Sequence, residues 1–244
     1  MSNKIFSAFL IRHGDTTLLF DTGLGKEIAK QYQQDMPHWQ RPFFRYEAPV
    51  KSAYEQISAT KVALPSQIIL SHSHWDHASG LVDFPGVPVL VANEELALIR
   101  NPSNGVGGAW PSQLSSSSIQ WQGIRFDAKP YLNFASSLDL FGDGRAVLVP
   151  LSGHTAGSIG MFVTVDSGKR FFLTGDLTWN VNAQKQARPK FWAASLLCDA
   201  DSEQTMRSIS QVQSLMQSDP ALIVLPAHDG HAQEQLGYFP LWQK

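Results

Sequence analysis

The 244-residue sequence has little cysteine, no excess of charge of one sign and no long apolar run. Its one cysteine, Cys198, cannot form an internal disulfide, so the sequence gives no evidence for an oxidising compartment. The 19 Lys and Arg residues are balanced by 21 Asp and Glu residues, and no segment concentrates the basic ones. Because nucleic-acid binding usually leaves a basic footprint, we expect no nucleic-acid partner.

Membrane segments are also missing from the sequence. No run approaches the roughly 20 apolar residues that a spanning helix needs, so we expect no membrane partner. The apolar run after Lys4 is too short for a signal peptide, and charged and turn residues follow it instead of a small-residue cleavage site. We therefore interpret this run as the first strand and expect a cytoplasmic protein.

Strand and helix patterns alternate along the chain. The predicted strands are Lys4–Ile11 and Thr17–Phe20 (a hairpin), Gln67–Leu70, Val87–Ala92, segments near 119–126, 138–141, 145–151, 159–165 and 170–175, and Ala221–Leu225. The predicted helices are 24–36, 51–63, Asn93–Arg100 and Asp201 to about Gln217, with a loop at 101–118.

Residues 37–50 combine three prolines with four aromatic residues. The prolines argue against regular structure, and the aromatic residues indicate that the segment packs against something. It is either a loop folded over the core or a lid over a pocket. We therefore treat 24–63 as a candidate lid or insertion near the active site.

The strongest chemical signal is Ser-His-Ser-His-Trp-Asp-His at 71–77, where three histidines and one aspartate lie within six residues. Imidazole and carboxylate groups are good ligands for zinc and related divalent metals. In an extended segment, side chains two residues apart point the same way, so His72 and His74 can bind one ion together. A turn after Trp75 would direct Asp76 and His77 toward a neighbouring position. One segment could therefore serve two metals.

Three further ligand-type residues follow predicted strands. They are His154 in Ser-Gly-His-Thr, Asp176 in Thr-Gly-Asp, and His228 in Pro-Ala-His. Strand ends commonly carry functional groups because the scaffold beneath them is rigid. Each residue alone is weak evidence, since a lone histidine after a strand is more often structural. Combined with the 71–77 cluster, they predict the remaining metal ligands.

These motifs together resemble the metallo-β-lactamase superfamily. The resemblance rests on His-x-His-x-Asp-His at 72–77, Gly-His-Thr at 153–155, Gly-Asp at 175–176 and the late His228, and Asp-Thr-Gly at 21–23 matches the family's first motif. It spans roughly residues 4–230. It implies an α+β fold, a four-layer αββα sandwich with two sheets face to face, in a single domain over 1–244.

The resemblance also implies a role for each site residue. His72, His74 and His154 would hold one divalent ion, and Asp76, His77 and His228 would hold a second. Asp176 would bridge the two ions, and Asp21 would orient the metal loop through hydrogen bonds. We expect zinc in both positions, although His/Asp sites also take iron, manganese and cobalt.

A dinuclear centre predicts hydrolysis. Two ions about 3.5–4 Å apart can share a water and lower its pKa toward neutrality, so that the bridging hydroxide attacks a carbonyl or phosphoryl group. Asp76 or Asp176 would then carry a proton to the leaving group. The alternatives from other classes are an iron-dependent sulfur oxidoreductase and a metal-binding module without catalysis.

Departures from the family's branches narrow the substrate class. True β-lactamases generally lack the bridging aspartate, glyoxalase II enzymes carry a long helical extension after the last ligand, and RNA-processing members need basic surfaces. The lactonase and small-esterase branch, which includes N-acyl homoserine lactone lactonases, fits best. Those lactonases place a tyrosine three residues after the bridging aspartate, where this chain has Trp179, an N–H donor without a hydroxyl.

We therefore expect a small-molecule substrate with a carboxylic ester or lactone bond, with thioesters and phosphodiesters as alternatives. Trp179, Phe43 and Phe44 are the candidate residues of the substrate pocket. A homodimer is a candidate assembly.

Overall fold

The computed structural model describes residues 5–101 and 108–244. The chain divides into two compact units. The first unit holds residues 6–91 and 96–123, and the second holds Ile5, residues 92–95 and residues 124–244. Among the described residues, we find no helix with the length and apolar character needed to cross a membrane.

The first sheet contains five strands in the order β1-β2-β3-β4-β5. In chain order the elements of this part are β1 (Phe9–His13), β2 (Thr16–Phe20), α1 (Ile28–Asp35), α2 (Ala53–Ser58), β3 (Gln67–Ile69), α3 (Trp75–Ala78), a 3₁₀ helix (Ser79–Asp83), β4 (Pro88–Ala92), α4 (Asn93–Arg100), α5 (Pro111–Leu114) and β5 (Gln120–Ile124). β1 and β2 form an antiparallel hairpin, whereas β2, β3 and β4 are parallel neighbours.

Parallel pairing brings two loops of the first unit together. Phe20, the last residue of β2, lies opposite Ile69, the last residue of β3. The residues that follow these strands therefore emerge side by side at one edge of the sheet. The strands themselves are buried, as near-continuous apolar runs predict for parallel sheets. This edge therefore brings Asp21 close to the start of the 71–77 segment.

The second sheet also contains five strands, in the order β10-β9-β8-β7-β6. Its elements are β6 (Leu138–Asp139), β7 (Ala146–Pro150), β8 (Ile159–Thr164), β9 (Arg170–Leu173), α6 (Val181–Lys185), α7 (Trp192–Cys198), α8 (Ser202–Ser218), β10 (Ile223–Leu225) and α9 (Gly230–Glu234). β9 and β10 are parallel, and the other neighbours are antiparallel.

Strand direction explains why three predicted ligands share one edge of the second sheet. Leu173 ends β9 and lies opposite Leu225, which ends β10. β7 runs the same way as β9, because each is antiparallel to β8 between them. His154, Asp176 and His228 each follow the carboxyl end of one of these three strands, so they emerge at the same edge.

The core of the second unit lies between its sheet and α8. Phe162 and Phe172 stack with ring centroids 3.8 Å apart, and Ile209 and Val212 of α8 are fully buried in the same cluster. α8 begins after Asp201, whose carboxylate accepts a hydrogen bond from the Gln204 backbone N–H. The predicted helix from Asp201 and its capping residue are therefore confirmed.

Most predicted elements are present, with shifted ends. The helix predicted over 51–63 is shorter in the structure, where α2 covers Ala53–Ser58. Ser52 is its N-cap and forms a capping box with Glu55. The predicted loop at 101–118 contains α5, which Pro111 starts at its first position; residues 102–107 of this loop lie outside the described residues, as does Lys4. Helices α6, α7 and α9 were not predicted.

Candidate metal centre

The 71–77 segment is held in place by Asp21, a fully buried carboxylate of the first unit. Asp21 Oδ1 accepts a hydrogen bond from the Ser71 backbone N–H at 2.6 Å, and Oδ2 accepts from Ser71 Oγ at 2.8 Å. Oδ2 also lies 2.8 Å from Nδ1 of His77. The backbone of Asp21 is left-handed, with φ +59°, a conformation that Asp and Asn tolerate better than most residues. The hydrogen bonds are those expected of a residue that orients the metal loop.

These contacts fix the tautomers of two histidines. A carboxylate only accepts hydrogen bonds, so His77 carries its proton on Nδ1. Ser71 gives its single hydroxyl proton to Asp21, so its oxygen accepts from Nδ1 of His72, 3.0 Å away. Both rings therefore have their lone pair on Nε2, the atom that binds a metal when Nδ1 is hydrogen-bonded to the protein.

The segment turns into a helix directly after His74. His74 precedes α3 in an extended conformation, and Asp76 and His77 lie within this single helical turn. The predicted turn after Trp75 is therefore a short helix. The ring centroids of His72 and His74 are 4.5 Å apart, and those of His72 and His77 are 4.1 Å apart. Ligand atoms of Asp76 and His77 lie within 4.8 Å of each other, as do those of His72 and His74.

In the second unit, the Asp176 carboxylate lies between two imidazole rings. Nε2 of His228 is 3.0 Å from Asp176 Oδ1, and Nε2 of His154 is 3.7 Å from Oδ2. Nδ1 of His228 donates to the backbone oxygen of Ile5 at 2.7 Å. His228 therefore also has its lone pair on Nε2, on the side that faces Asp176. Asp176 and His154 are buried, and His228 is 15% exposed.

His154 has a buried carboxylate behind it that the sequence analysis did not identify. Asp199 Oδ1 accepts from Nδ1 of His154 at 2.8 Å and from the Lys190 ammonium at 2.6 Å, and Ser195 Oγ donates to the other oxygen. The side chains of Asp199 and Lys190 are both fully buried. No local pattern pointed to Asp199, because it is 45 residues from His154 in the chain.

Burial and charge set the protonation states of this cluster. Burial alone would raise the pKa of Asp199, but the hydrogen bond from His154 and the charge and hydrogen bond of Lys190 together lower that pKa to about 2. Burial, with the charge of Lys190, lowers the pKa of His154 against the opposing effect of Asp199. Asp199 is therefore an anion and His154 a neutral imidazole, which is the form that binds a metal ion.

The loop that carries His154 is fixed by close backbone packing. Gly153 has φ +134°, and a Cβ there would lie 2.3 Å from the backbone nitrogen of Thr205. The His154 backbone oxygen accepts from Ala200 N–H at 3.0 Å. On its other side, the Thr155 hydroxyl donates to the buried Glu95 carboxylate at 2.6 Å. Both the backbone and the ring of His154 are therefore held from several directions.

The candidate pocket residues differ in exposure. Phe43 is 63% exposed, whereas Phe44 and Trp179 are half-buried. Within the first unit, the 37–50 segment packs on α1, where the Tyr32 hydroxyl donates to the Phe44 backbone oxygen at 2.7 Å. Whether this segment covers a pocket stays a prediction, and so does the contact of these three residues with substrate.

The donor set fits divalent metal ions of the zinc type. All the ligand-type side chains are imidazoles or carboxylates, and the tautomers of His72, His77, His154 and His228 all place the lone pair on Nε2. Each of these rings has a protein acceptor on Nδ1, which is the usual support for metal-binding histidine. The residues would thus supply a nitrogen- and oxygen-rich environment in which a metal activates water or polarises a carbonyl group.

Comparison with known proteins agrees with this donor set. The model of the metallo-beta-lactamase superfamily matches residues 7–228. A probable metallo-hydrolase of Mycobacterium bovis is 28% identical over 236 residues, which cover 90% of this chain and 73% of that protein. A Mycobacterium tuberculosis probable metallo-hydrolase matches with the same values.

Solved structures share the fold at low identity. An N-acyl homoserine lactone hydrolase, with N-hexanoyl-L-homoserine at its catalytic metal centre, superposes with a TM-score of 0.71 at 16% identity, over 97% of this chain and 86% of that one. AidC, a dizinc quorum-quenching lactonase, gives a TM-score of 0.55 at 17% identity, over 91% of this chain and 71% of that one. The predicted fold class, with mixed helices and strands and two sheets, is confirmed, and the chain belongs to the metallo-β-lactamase superfamily of metal-dependent hydrolases.

Proposed function

We propose that this protein is a dinuclear metal-dependent hydrolase that cleaves a carboxylic ester or lactone. The proposed ligands of one ion are His72, His74 and His154, and those of the other are Asp76, His77 and His228, with Asp176 shared between them. The observation that carries the proposal is that four histidines each place Nδ1 within hydrogen-bond distance of a protein oxygen, which leaves Nε2 as the atom for a metal. Histidines that only fill a core or a surface have no reason to share this arrangement.

Asp176 supports a shared position in particular. Its Oδ2 lies 3.2 Å from Nε2 of His228 and 3.7 Å from Nε2 of His154, and its Oδ1 lies 3.0 Å from Nε2 of His228. We therefore assign Asp176 to hold both ions and, with Asp76, to carry a proton to the leaving group. When bound, two divalent ions supply an activated water and polarise the substrate's carbonyl oxygen. Zinc is the proposed metal, and the dizinc lactonase among the similar structures supports this choice.

An ester or lactone is the proposed substrate because lactone hydrolases share this fold over nearly the whole chain. Trp179 bears on the choice between them. An indole N–H can donate one hydrogen bond, but it cannot accept or relay a proton as a tyrosine hydroxyl can. We therefore propose a broader ester specificity than in enzymes with tyrosine at this position, and thioesters and phosphodiesters remain the alternatives.

Acid release in a pH-stat tests the function directly. The zinc-loaded protein is assayed on acyl homoserine lactones, simple lactones, aryl esters, thioesters and a phosphodiester. Turnover of lactones or esters supports the proposal. Turnover of thioesters or phosphodiesters alone would show that the proposed substrate class is wrong. A protein that binds two zinc ions and hydrolyses none of these substrates would contradict the proposed function. Sulfur-dependent oxygen uptake by the iron-loaded protein would instead indicate an oxidoreductase.

A matched pair of aspartate variants tests the role of Asp176. Asp176→Asn should lower kcat by at least about 100-fold, since a neutral amide cannot carry the proton and binds two cations less strongly than a carboxylate does. Asp166→Asn changes an aspartate whose side chain is 85% exposed in the same unit, and it should leave kcat unchanged. Equal activity of the two variants would contradict the assignment of Asp176.

A further inference from the structure

A buried lysine lies behind His154, next to the carboxylate that receives the imidazole's Nδ1 proton. The Lys190 ammonium and Nδ1 of His154 both donate to Oδ1 of Asp199, at 2.6 and 2.8 Å. The two nitrogens are only 3.2 Å apart, as expected of two donors that share one acceptor. Lys190 also approaches the Leu177 backbone oxygen at 3.5 Å, one residue after Asp176.

Burying a lysine is costly, so its position calls for an explanation. A buried ion pair rarely adds stability over well-packed apolar residues of the same size, because both charges lose their hydration. The lysine side chain here is 0% exposed, and so is that of Asp199. A cation with no other task would be more stable at the surface, as Lys185 of α6 is.

The charge arrangement shows what Lys190 can do. A carboxylate behind a metal-binding imidazole accepts its Nδ1 proton, which fixes the tautomer and orientation of the ring and makes Nε2 a better ligand. An ammonium on the same oxygen holds that oxygen in place. Ser195 fixes the second oxygen by donating to it. Asp199 is thus held at both oxygens and points one lone pair at His154.

We propose that Lys190 is a positioning residue that acts through Asp199 to fix the orientation and neutral tautomer of His154 as a metal ligand. This inference rests on the proposed metal centre. Lys190 does not touch a metal ion or substrate in this scheme. Its effect on metal binding therefore requires Asp199, and this requirement can be tested.

The test measures zinc affinity by competition with a chromophoric chelator, which needs no enzymatic activity. The wild type should bind two ions. Lys190→Met, which keeps an unbranched side chain of nearly the same length and removes the charge, should weaken the binding of one of the two ions by about tenfold and leave that of the other within about twofold. Lys190→Arg should restore most of that loss. Lys185→Met, the same change at an exposed site, should match the wild type.

A double-mutant cycle separates positioning from a general loss of stability. If Lys190 acts through Asp199, adding Lys190→Met to Asp199→Asn should cost no further zinc affinity. A full additional tenfold loss in the double variant would overturn the inference. Unchanged zinc affinities in Lys190→Met, with only a lower urea midpoint, would also overturn it, because the pair would then be purely structural.

The same titration distinguishes this failure from failure of the proposed function. If the wild type itself binds fewer than two zinc ions, the dinuclear centre is wrong and the inference falls with it. If the wild type binds two ions and every Lys190 variant does so with wild-type affinities, only the role of Lys190 is wrong.

Discussion

Oδ2 of Asp21 lies 2.8 Å from Nδ1 of His77, although the two residues are 56 positions apart in the chain. The contact exists because β2 and β3 are parallel and end opposite each other, which brings Asp21 beside the metal loop. The pairing of these two strands therefore positions the carboxylate that holds the His77 ring. Asp21 itself has a left-handed backbone conformation, with φ +59°.

This contact predicts the effect of Asp21→Asn. The asparagine side chain has one oxygen, so it can replace only one of the two carboxylate oxygens. Its NH₂ group must then face either the Ser71 backbone N–H or Nδ1 of His77. Facing His77, it would require a lone pair on Nδ1 and so move the ring proton to Nε2, the metal-binding atom. We expect zinc affinity at one position to fall by about 10–100-fold, measured by chelator competition.

The control for this change is Asp15→Asn, in the exposed turn between β1 and β2. It should bind zinc as the wild type does. Equal zinc affinity of Asp21→Asn and Asp15→Asn would show that Asp21 has only a structural role in the loop.

Gly153→Ala should disturb His154 through the backbone. The new Cβ would lie 2.3 Å from Thr205 N and 2.5 Å from Thr205 Cα, atoms at the start of α8 that cannot rotate away. We expect a loss of about 3 kcal/mol in the free energy of unfolding, from steric overlap and an unfavourable φ together. Urea denaturation measures it.

Gly168→Ala measures the cost of a positive φ where the new Cβ meets no atom. Gly168 has φ +83°, and a Cβ there would meet no atom within 4 Å. Its expected cost is about 1 kcal/mol. If both alanine variants lost the same free energy, contact with α8 would not be what fixes the His154 loop.

Asp83 predicts a pH-dependent change in stability. Burial raises the pKa of its carboxyl group, against the hydrogen bond from the Lys26 backbone N–H and the charge of Lys26. For an acid with a raised folded-state pKa, the stabilising contribution is present below the unfolded pKa of about 3.9 and is lost as the pH rises through the folded value. Asp83→Asn keeps an oxygen acceptor and removes this titration.

The measurement is the difference in unfolding free energy between wild type and Asp83→Asn, with chelator present, from pH 4 to pH 7. We expect the wild type to lose stability relative to the variant as the pH rises. Asp127→Asn, the same change at an exposed position, is the control. A difference that stays constant over this range would mean that Asp83 does not titrate with folding.

Phe43→Ala tests the predicted substrate pocket. The side chain is 63% exposed, so its loss should change the free energy of unfolding by less than about 0.5 kcal/mol. If the ring contacts substrate, KM for a long-chain acyl ester should rise severalfold at constant kcat. This is expected because the lost contact would stabilise the bound substrate and the transition state equally. Phe191→Ala, at a residue that is 67% exposed, is the control and should leave KM unchanged.

The sequence predicted best where a residue and its role lie in one short segment. His72, His74, Asp76 and His77 were identifiable because ligand-type residues cluster within six positions, and the strands before them are continuous apolar runs. The helix after Asp201 was predicted because its cap and its apolar face are both local. The fold class followed from the order of such motifs through their family resemblance.

The parts that were missed depend on contacts between distant segments. Lys190 and Asp199 look like ordinary surface charges in the sequence, and only the folded second unit places them on Nδ1 of His154. Helix α7, between them, is too short and too weakly patterned to predict, with Trp192 72% exposed. Residues that support a ligand from a distant segment can be identified only once a structure shows which side chains come together.

The hydrogen bond from Nδ1 of His228 to the backbone oxygen of Ile5 has a practical consequence for producing the protein. The acceptor is a main-chain oxygen, so a side-chain substitution at Ile5 leaves it in place, whereas a deletion that includes Ile5 removes it and keeps all seven proposed ligands. Zinc content should therefore be compared between forms with and without this residue before any loss of activity is ascribed to a substitution of a ligand.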